Sequence, residues 1–324
     1  MRDVRRREVI ALLGDAAAAW PIMARAQQRA MPVVGFLHQG ALVALNEFRR
    51  GLQENGFVEG RNFKIELRWA DGNYDRLPAL AADLVRHQPA AIAAALLPAA
   101  QAVKAATATI PIVFISGSDP IETGLVTSLN RPSENVTGVS LFSVPLIAKR
   151  LELLHEVIPT AAVVAVLVNP TNPNAEANER GIETAARAIG LRIEFIEASS
   201  DRDFEVAFAT SRRQAGALLV SADGFYASRR DQLVALAARH AIPTMYFQRE
   251  FVPLGGLISY GTDTPGMYRE AGAYAGRILK GAKPGDLPVL QPTKFELAIN
   301  LKTARVLGVS VPPTLLARAD EVIE

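Results

Sequence analysis

The sequence predicts an α/β protein of two similar doubly wound, Rossmann-like lobes, joined by a hinge that the chain crosses several times. Apolar segments of strand length alternate with amphipathic segments of helical length from Val33 onward, which is typical of βαβ units. The same order of segments returns at an offset of about 130 residues, as an internal duplication would give. No cysteine occurs in the 324 residues, so core burial must stabilise the fold, and a chain of this length can bury enough surface.

The first lobe contains apolar segments that we predict to be strands over residues 33–37, 63–69, 91–96, 112–115 and 136–141. Apolar and polar residues alternate strictly in the second of these segments, so that strand should have one solvated face. Leu45, Phe48 and Leu52 mark one face of an intervening helix, and Gly56 follows as its C-terminal cap.

The second lobe repeats this plan, with predicted strands over residues 162–168, 191–195, 217–220 and 242–246. A helix from Ser143 to about Val157 should carry the chain across to it. The helix over residues 265–280 should return to the first lobe, and the strand over 295–300 should belong to the second. We therefore expect a first lobe of residues 32–142 plus about 264–291 and a second lobe of residues 143–263 plus about 292–324. Two hinged lobes of this kind close on a ligand held between them.

The first 26 residues have the pattern of a bacterial export signal. Arg5, Arg6 and Arg7 open a basic region, an apolar run over residues 9–23 follows, and Ala24-Arg25-Ala26 fits a signal-peptidase site. The pair Arg6-Arg7 favours a twin-arginine signal. An ordinary amphipathic N-terminal helix is the alternative. The pattern predicts a periplasmic protein whose signal peptide is removed after Ala26, without a membrane span of its own.

The charge balance narrows the class of partner. Residues 1–26 carry five Arg and three acidic residues, so the remaining chain carries 30 basic and 30 acidic residues. Nucleic-acid binding would need clustered positive charge, so we expect no nucleic-acid partner. A small-molecule solute or a specific protein partner fits a neutral surface better.

Ligands of doubly wound sheets bind beyond the carboxyl ends of the strands. In the first lobe this rule points to Ser116, Ser118 and Asp119, whose hydroxyls and carboxylate could hold a carboxylate and an ammonium. The alternative is an ordinary turn in which Asp119 caps a helix.

In the second lobe the same rule points to the amides of Asn169 and Asn172 and to the segment that begins at Asp223. A rigid turn is the alternative for the asparagines. Phe225 and Tyr226 are adjacent aromatic residues after a strand end, so they could form a wall for a flat or apolar ligand, although one of them could belong to the core. The complete set of predicted ligand-binding residues is Gln39, Gly40, Pro98, Ser116, Ser118, Asp119, Asn169, Asn172, Asp223, Phe225, Tyr226, Tyr246, Glu250 and Tyr260.

Common catalytic and cofactor motifs do not occur in the chain, among them the P-loop, G-x-G-x-x-G after a strand, H-E-x-x-H and G-x-S-x-G. The four histidines show no metal-ligand spacing, and His38 alone falls on a predicted cleft loop. We therefore predict no catalytic residues, no cofactor and no metal site, and we expect a binding protein rather than an enzyme.

Several short motifs resemble those of one known family. They are Asn135-Val136-Thr137-Gly138-Val139, Lys149-Arg150-Leu151-Glu152-Leu153-Leu154, Leu167-Val168-Asn169-Pro170, Arg249-Glu250-Phe251-Val252, Gly255-Gly256-Leu257-Ile258-Ser259-Tyr260-Gly261 and Ile299-Asn300-Leu301-Lys302-Thr303-Ala304. With them the chain resembles, from end to end, an ABC-transporter substrate-binding protein of the type I periplasmic-binding fold, in the group that binds tryptophan and related amino acids.

The resemblance implies a monomeric periplasmic receptor that delivers a small amino-acid-like or aromatic solute to an ABC permease in the inner membrane. The chain departs from the family at two cleft loops, where it has the short His38-Gln39-Gly40 and the sequence Leu96-Leu97-Pro98-Ala99 instead of a Gly-rich turn. These departures favour a more apolar ligand. Two alternatives stay open at this point: a sensory module that reports the solute to a membrane receptor, and an exported hydrolase or lyase that uses Asp119, Asp223 and Glu250.

Overall fold

The computed structural model describes residues 31–38, 45–132, 135–143, 146–172 and 175–324, and every side chain within them except that of Ala177. Val33–Glu324 form one compact unit. The predicted signal peptide and the candidate ligand residues Gln39 and Gly40 lie outside the described residues.

The first lobe is built on a parallel five-stranded sheet. Its strands are β1 (Val33–His38), β2 (Lys64–Trp69), β3 (Ala91–Ala95), β4 (Ile112–Ser116) and β5 (Val136–Ser140), in the spatial order β2-β1-β3-β4-β5. The helices are α1 (Leu45–Glu54), α2 (Leu77–Arg86) and α3 (Leu97–Ala106), with a 3-10 turn at Tyr74–Arg76 before α2. Side chains alternate across the sheet: Phe36 packs in the core on one face and Leu37 in the core on the other. Helices on both faces therefore sandwich the sheet.

The second lobe is built on a seven-stranded sheet. Its strands are β6 (Val163–Val168), β7 (Arg192–Glu197), β8 (Ala217–Val220), β9 (Thr244–Tyr246), β10 (Ile258–Thr262), β11 (Phe295–Asn300) and β12 (Glu321–Ile323), in the order β12-β11-β10-β9-β8-β6-β7. β10 and β11 are antiparallel, and the other neighbours are parallel. The remaining helices are α4 (Ile147–Val157), α5 (Ala175–Ala188), α6 (Asp203–Gln214), α7 (Gly224–Ser228), α8 (Arg230–Arg239), α9 (Thr264–Leu279), α10 (Leu301–Leu307) and α11 (Pro313–Leu316), with 3-10 turns at Arg249–Phe251 and Pro284–Asp286.

The two sheets repeat one topology. The order β2-β1-β3-β4-β5 recurs as β7-β6-β8-β9-β10 in the second sheet, and β11 and β12 extend it. The prediction of two similar doubly wound lobes is therefore confirmed. The strand with strictly alternating residues, β2, lies at the edge of its sheet with its side chains half-buried or exposed, as its pattern predicted.

Helix α9 packs against the first sheet although it follows β10 of the second. Its closest contact is with α1, where one glycine on each helix lies against the backbone of the other helix. An ideal Cβ at Gly272 would lie 2.0 Å from the Phe48 carbonyl oxygen, and one at Gly51 would lie 1.9 Å from the Arg269 carbonyl oxygen. The close approach of these helices therefore depends on the absence of two side chains. The exact lobe boundaries expected from the sequence stay predictions.

The hinge joins the lobes by three crossings, between β5 and α4, between β10 and α9, and between α9 and β11. Arg150, fully buried on α4, ties the first two crossings together: its Nε donates to the Tyr260 carbonyl oxygen and its Nη1 to the Ser143 carbonyl oxygen, both at 2.7 Å. Burial lowers the pKa of Arg150 to about 9, so the guanidinium stays charged at neutral pH. Thr262 adds a further link, because its hydroxyl donates to the Leu141 carbonyl oxygen.

The elements that the sequence analysis missed or misplaced are short. β9 begins at Thr244 rather than at residue 242, because the Ile242 N–H donates to the Ala237 carbonyl oxygen at the end of α8. The strand β12 and the helix α11 were not predicted. No helix within the described residues is long and apolar enough to cross a membrane.

Candidate functional site

The candidate site is a cleft between the two lobes, beyond the carboxyl ends of the strands of both sheets. Its cavity has a volume of about 140 Å³. The site therefore lies where doubly wound sheets bind ligands, next to the points at which the strand order reverses.

The first lobe supplies a mainly apolar wall. The described residues on this side are His38, Glu47, Leu96, Leu97, Pro98, Gly117, Ser118, Leu141 and Ser143, joined by Thr264, Pro265 and Tyr268 from the start of α9. Leu96 has a φ of 74°, a left-handed conformation that glycine adopts more readily. Its N–H donates to the Ile115 carbonyl oxygen at 2.7 Å, which helps to hold it in place. A strained non-glycine residue at this turn is typical of ligand sites.

The second lobe supplies most of the charged groups. The described residues on this side are Asn172, Asn178, Ala222, Asp223, Gly224, Ala227, Arg230, Phe247, Gln248 and Glu250. Burial raises the pKa of the Glu250 carboxyl, and the charges of Arg230 and Arg249 partly offset this. Arg249 is itself paired with Glu321 at 2.6 Å, so Arg230 is the cation that faces the cleft beside Glu250.

Asp223 is the most heavily hydrogen-bonded of the acidic groups that line the described part of the cleft. Its Oδ2 accepts from the Tyr74 hydroxyl and from Asn172 Nδ2, each at 2.8 Å. Its Oδ1 accepts from the Phe225 N–H at 2.7 Å and, at 3.5 Å, from Asn169 Nδ2. Burial raises the pKa of the Asp223 carboxyl, against the opposing effect of these hydrogen bonds.

Five of the predicted ligand residues line the cleft: Pro98, Ser118, Asn172, Asp223 and Glu250. Ser116 does not; it is fully buried below the turn, and its hydroxyl accepts from the Ser118 N–H at 3.2 Å. Asp119 is exposed outside the cleft and caps a turn, because its Oδ1 accepts from the Ile121 N–H at 2.7 Å. The capping alternative therefore describes Asp119, which does not line the cleft.

Three predicted aromatic positions support the second lobe instead of lining the cleft. Tyr226 is fully buried and donates to the Ala198 carbonyl oxygen at 2.9 Å. Tyr246 is stacked on Phe251 in the same core, and Phe225 is stacked on Phe204. Tyr226 and Tyr246 therefore pack inside the lobe, and Phe225 packs beside the cleft without lining it.

Asn169 and Tyr260 also act from behind the cleft surface. Asn169 is buried, and its side-chain oxygen accepts from the Thr171 N–H at 3.1 Å, so it orders the turn that carries Asn172. Tyr260 is half-buried against Phe295, and its carbonyl oxygen is bound by Arg150. Neither residue lines the cleft, although both were among the predicted ligand-binding residues.

The sequence analysis missed Tyr74, Phe247, Tyr268 and Arg230. Tyr74 follows the carboxyl end of β2, so the strand-end rule would have reached it. Phe247 follows Tyr246 directly, and the aromatic wall was assigned one residue too early. Tyr268 lies one turn into α9, where its hydroxyl is 3.2 Å from His38 Nε2; no local signal marks it.

Metal or cofactor binding has no evident donor set in the described part of the chain, where no three His, Asp or Glu side chains gather in a way that could hold a metal ion. The arrangement offers an apolar cavity with one cation, several carboxyls and amide groups. Such a site can bind a small polar molecule with an apolar body through noncovalent contacts.

This chain is similar to known proteins that bind small molecules. The family model described as "ABC transporter substrate binding protein" matches residues 32–323. A "Tyrosine-binding protein" of Clostridioides difficile (strain R20291) is 28% identical over 260 residues, which are 80% of this chain and 75% of that protein.

Two solved structures share the fold over 90% of this chain and 100% of theirs. A conserved domain protein from Vibrio cholerae has a TM-score of 0.83 at 28% identity. An ABC domain from Streptococcus pneumonia in complex with L-Trp has a TM-score of 0.78 at 25% identity.

Proposed function

The chain belongs to the family of ABC transporter substrate-binding proteins, and we propose that it is the receptor of an importer for a small amino-acid-like solute with an aromatic or apolar body. The observation that carries this proposal is the cleft, in which apolar residues surround a few charged groups between two hinged lobes. No covalent step is required, because closure replaces the hydration of the ligand with fixed hydrogen bonds.

The charged groups of the cleft suit a zwitterion. Arg230 is placed to bind a carboxylate, and Glu47 and Glu250 are placed to bind an ammonium group. Leu96, Leu97 and Pro98 then face the apolar part of the ligand. Two similar proteins support the same class of ligand, since one is a tyrosine-binding protein and the structure of the other contains L-Trp.

Delivery to a membrane permease and location in the periplasm are part of this proposal. Both are typical of the family, and the basic and apolar pattern of residues 1–26 supports export with cleavage after Ala26. A sensory role would use the same cleft and hinge, and no feature of the cleft favours it.

The hydrolase alternative loses support. It relied on cleft carboxylates such as Asp119, Asp223 and Glu250, and Asp119 does not line the cleft. The other two carboxyls, those of Asp223 and Glu250, do line the cleft, but the proteins similar to this chain are named as binding proteins.

Calorimetry tests the proposed function. Protein unfolded in denaturant and refolded, so that it carries no ligand, is screened for thermal stabilisation with L-tryptophan, L-tyrosine and apolar analogues. A solute at about 100 times its dissociation constant should stabilise the protein by about 2.7 kcal/mol. Titration calorimetry should then give one ligand per chain.

Two adjacent arginines provide a matched comparison. Arg230→Gln should weaken binding about tenfold or more, because a charged hydrogen bond to the ligand carboxylate contributes about 1.5–3 kcal/mol. Arg229→Gln should leave the affinity unchanged, since Arg229 pairs with Asp201 at 2.8 Å and lies over the Phe225 ring, away from the cleft. Equal affinities of both variants, or the absence of any stabilising solute of this class, would contradict the proposal.

A further inference from the structure

One hydrogen bond joins the two lobes directly across the mouth of the cleft. The hydroxyl of Tyr74, which follows β2 in the first lobe, donates to Asp223 Oδ2 in the second lobe at 2.8 Å. Both residues are buried, with 8% of Tyr74 and 6% of Asp223 exposed. A buried bond to a carboxyl between two bodies that move apart on opening is broken in the open form.

We propose that Tyr74 and Asp223 form a latch that holds the lobes closed independently of the ligand, and that Tyr74 is thereby a residue that sets ligand affinity. This inference rests on the proposed function, because it assumes that the lobes open and close. It assigns a role to Tyr74 that neither the motifs nor the relatives suggest.

The first lobe presents Tyr74 in a fixed position. The Asn73 side chain accepts from the Asp75 N–H at 3.1 Å and caps the 3-10 turn that contains Tyr74. Arg76 Nη1 donates to the Ala70 carbonyl oxygen at 3.3 Å, which closes the same loop. The tyrosine ring packs in the core beside α2, so the hydroxyl is the part of the residue that reaches the other lobe.

The second lobe presents Asp223 equally firmly. The Phe225 N–H fixes Oδ1, and Asn172 Nδ2 fixes Oδ2, the oxygen that also accepts from Tyr74. The acceptor is therefore oriented by its own lobe before the lobes meet. An oriented acceptor loses less conformational entropy when the bond forms.

A second contact accompanies the hydrogen bond. Gly72, with a φ of 75°, lies against the ring of Phe225, and an ideal Cβ at this position would be 3.1 Å from Phe225 Cδ2. The loop before Tyr74 thus fits against the segment after Asp223 because it carries no side chain at residue 72. Two neighbouring contacts, one polar and one steric, act at the same place on the cleft mouth.

The consequence concerns affinity. The apparent dissociation constant is the intrinsic one divided by the fraction of binding-competent molecules, so a larger closed fraction before binding gives a lower apparent dissociation constant. Removal of the latch lowers the closed fraction and weakens the binding of every ligand by the same factor. Removal of a contact with the ligand weakens the binding of only those ligands that make this contact.

Small-angle scattering of the unliganded protein tests the latch without knowledge of the ligand. Tyr74→Phe removes the hydroxyl and keeps the ring, and it should lower the closed-to-open ratio about tenfold or more, which corresponds to about 1.4 kcal/mol. The radius of gyration should rise. The matched control is Tyr274→Phe, since the Tyr274 hydroxyl donates to the Pro288 carbonyl oxygen at 2.7 Å within the first lobe, and its scattering should equal that of the wild type.

A pair of glycine variants keeps the test decisive if Tyr74→Phe fails to fold. Gly72→Ala should also open the lobes, whereas Gly124→Ala should not, because Gly124 has a similar φ of 68° with no atom within 4 Å of an ideal Cβ. Unchanged scattering of the Tyr74 and Gly72 variants, or equal opening in the controls, overturns the latch. A failure of the proposed function is seen separately, as the absence of any stabilising solute.

Discussion

Asp223 is a buried carboxyl whose orientation is fixed by hydrogen bonds from its neighbours. Donors from Tyr74, Asn172 and the Phe225 N–H surround it, so little of its hydrogen-bonding capacity is left unsatisfied. Burial nevertheless outweighs these bonds and raises its pKa. The folded protein therefore keeps this proton to a higher pH than the unfolded chain does.

The pH dependence of stability should reveal this difference. From about pH 4 upward the unfolded chain has released the Asp223 proton while the folded protein retains it, so the contribution of Asp223 to the free energy of unfolding falls as pH rises. In urea unfolding, the wild type should lose stability relative to Asp223→Asn as pH rises above about 4.

Asp203 provides a control of opposite sign. Hydrogen bonds from Ser199 and Ser200 lower the pKa of the Asp203 carboxyl, so its contribution is present at higher pH and is lost as pH falls through its folded pKa. The wild type should therefore gain stability relative to Asp203→Asn as pH rises towards about 4, below the range in which Asp223 acts, and the difference should stay constant above it. A difference between the wild type and Asp223→Asn that is constant with pH, or that increasingly favours the wild type as pH rises above about 4, would contradict the assignment for Asp223.

At this scale the sequence could identify loops but not side-chain directions. The strand-end rule reached Ser118, Asn172 and Asp223, and the structure places all three on the cleft; their contacts with a ligand stay predictions. The same rule selected Asp119 and Tyr226, which lie outside it, because a turn or a helix start can direct a side chain to solvent or core. That direction depends on hydrogen bonds formed after folding.

At the scale of elements, helices α1 and α9 illustrate how small residues let a distant segment join a lobe. Gly51 and Gly272 allow each helix to approach the backbone of the other. The sequence analysis expected the segment of α9 in the first lobe, but its contact through glycines was not predictable, because glycine leaves no apolar signal. Short elements such as β12 and α11 escaped prediction for a related reason, since few residues carry little periodicity.

A glycine pair tests this packing. Gly272→Ala should destabilise the protein by about 1–3 kcal/mol or more, because its Cβ would overlap the Phe48 carbonyl oxygen. Gly181→Ala on α5 is the control: an ideal Cβ there has no atom within 4 Å, so the variant should be stabilised by up to about 1 kcal/mol. Denaturant unfolding measures both. Similar changes in the two variants would show that α1 and α9 do not depend on this contact.

At the scale of the whole molecule, the duplication in the sequence was sufficient to predict two lobes with equal strand order. The hinge was predictable as a set of crossings, because segments of one lobe follow segments of the other. Its chemistry was not: the role of Arg150 depends on carbonyl groups of Ser143 and Tyr260, which are far apart in sequence. The hydrogen bond between Tyr74 and Asp223 could likewise not be predicted, because the two residues lie in different lobes and far apart in sequence.

The central claim is that the lobes close on one small solute held between them. Small-angle scattering during titration of the ligand-free protein with the solute that stabilises it tests this claim most directly. The radius of gyration should fall saturably and reach its minimum at one ligand per chain. Stoichiometric binding with an unchanged scattering curve would contradict the account.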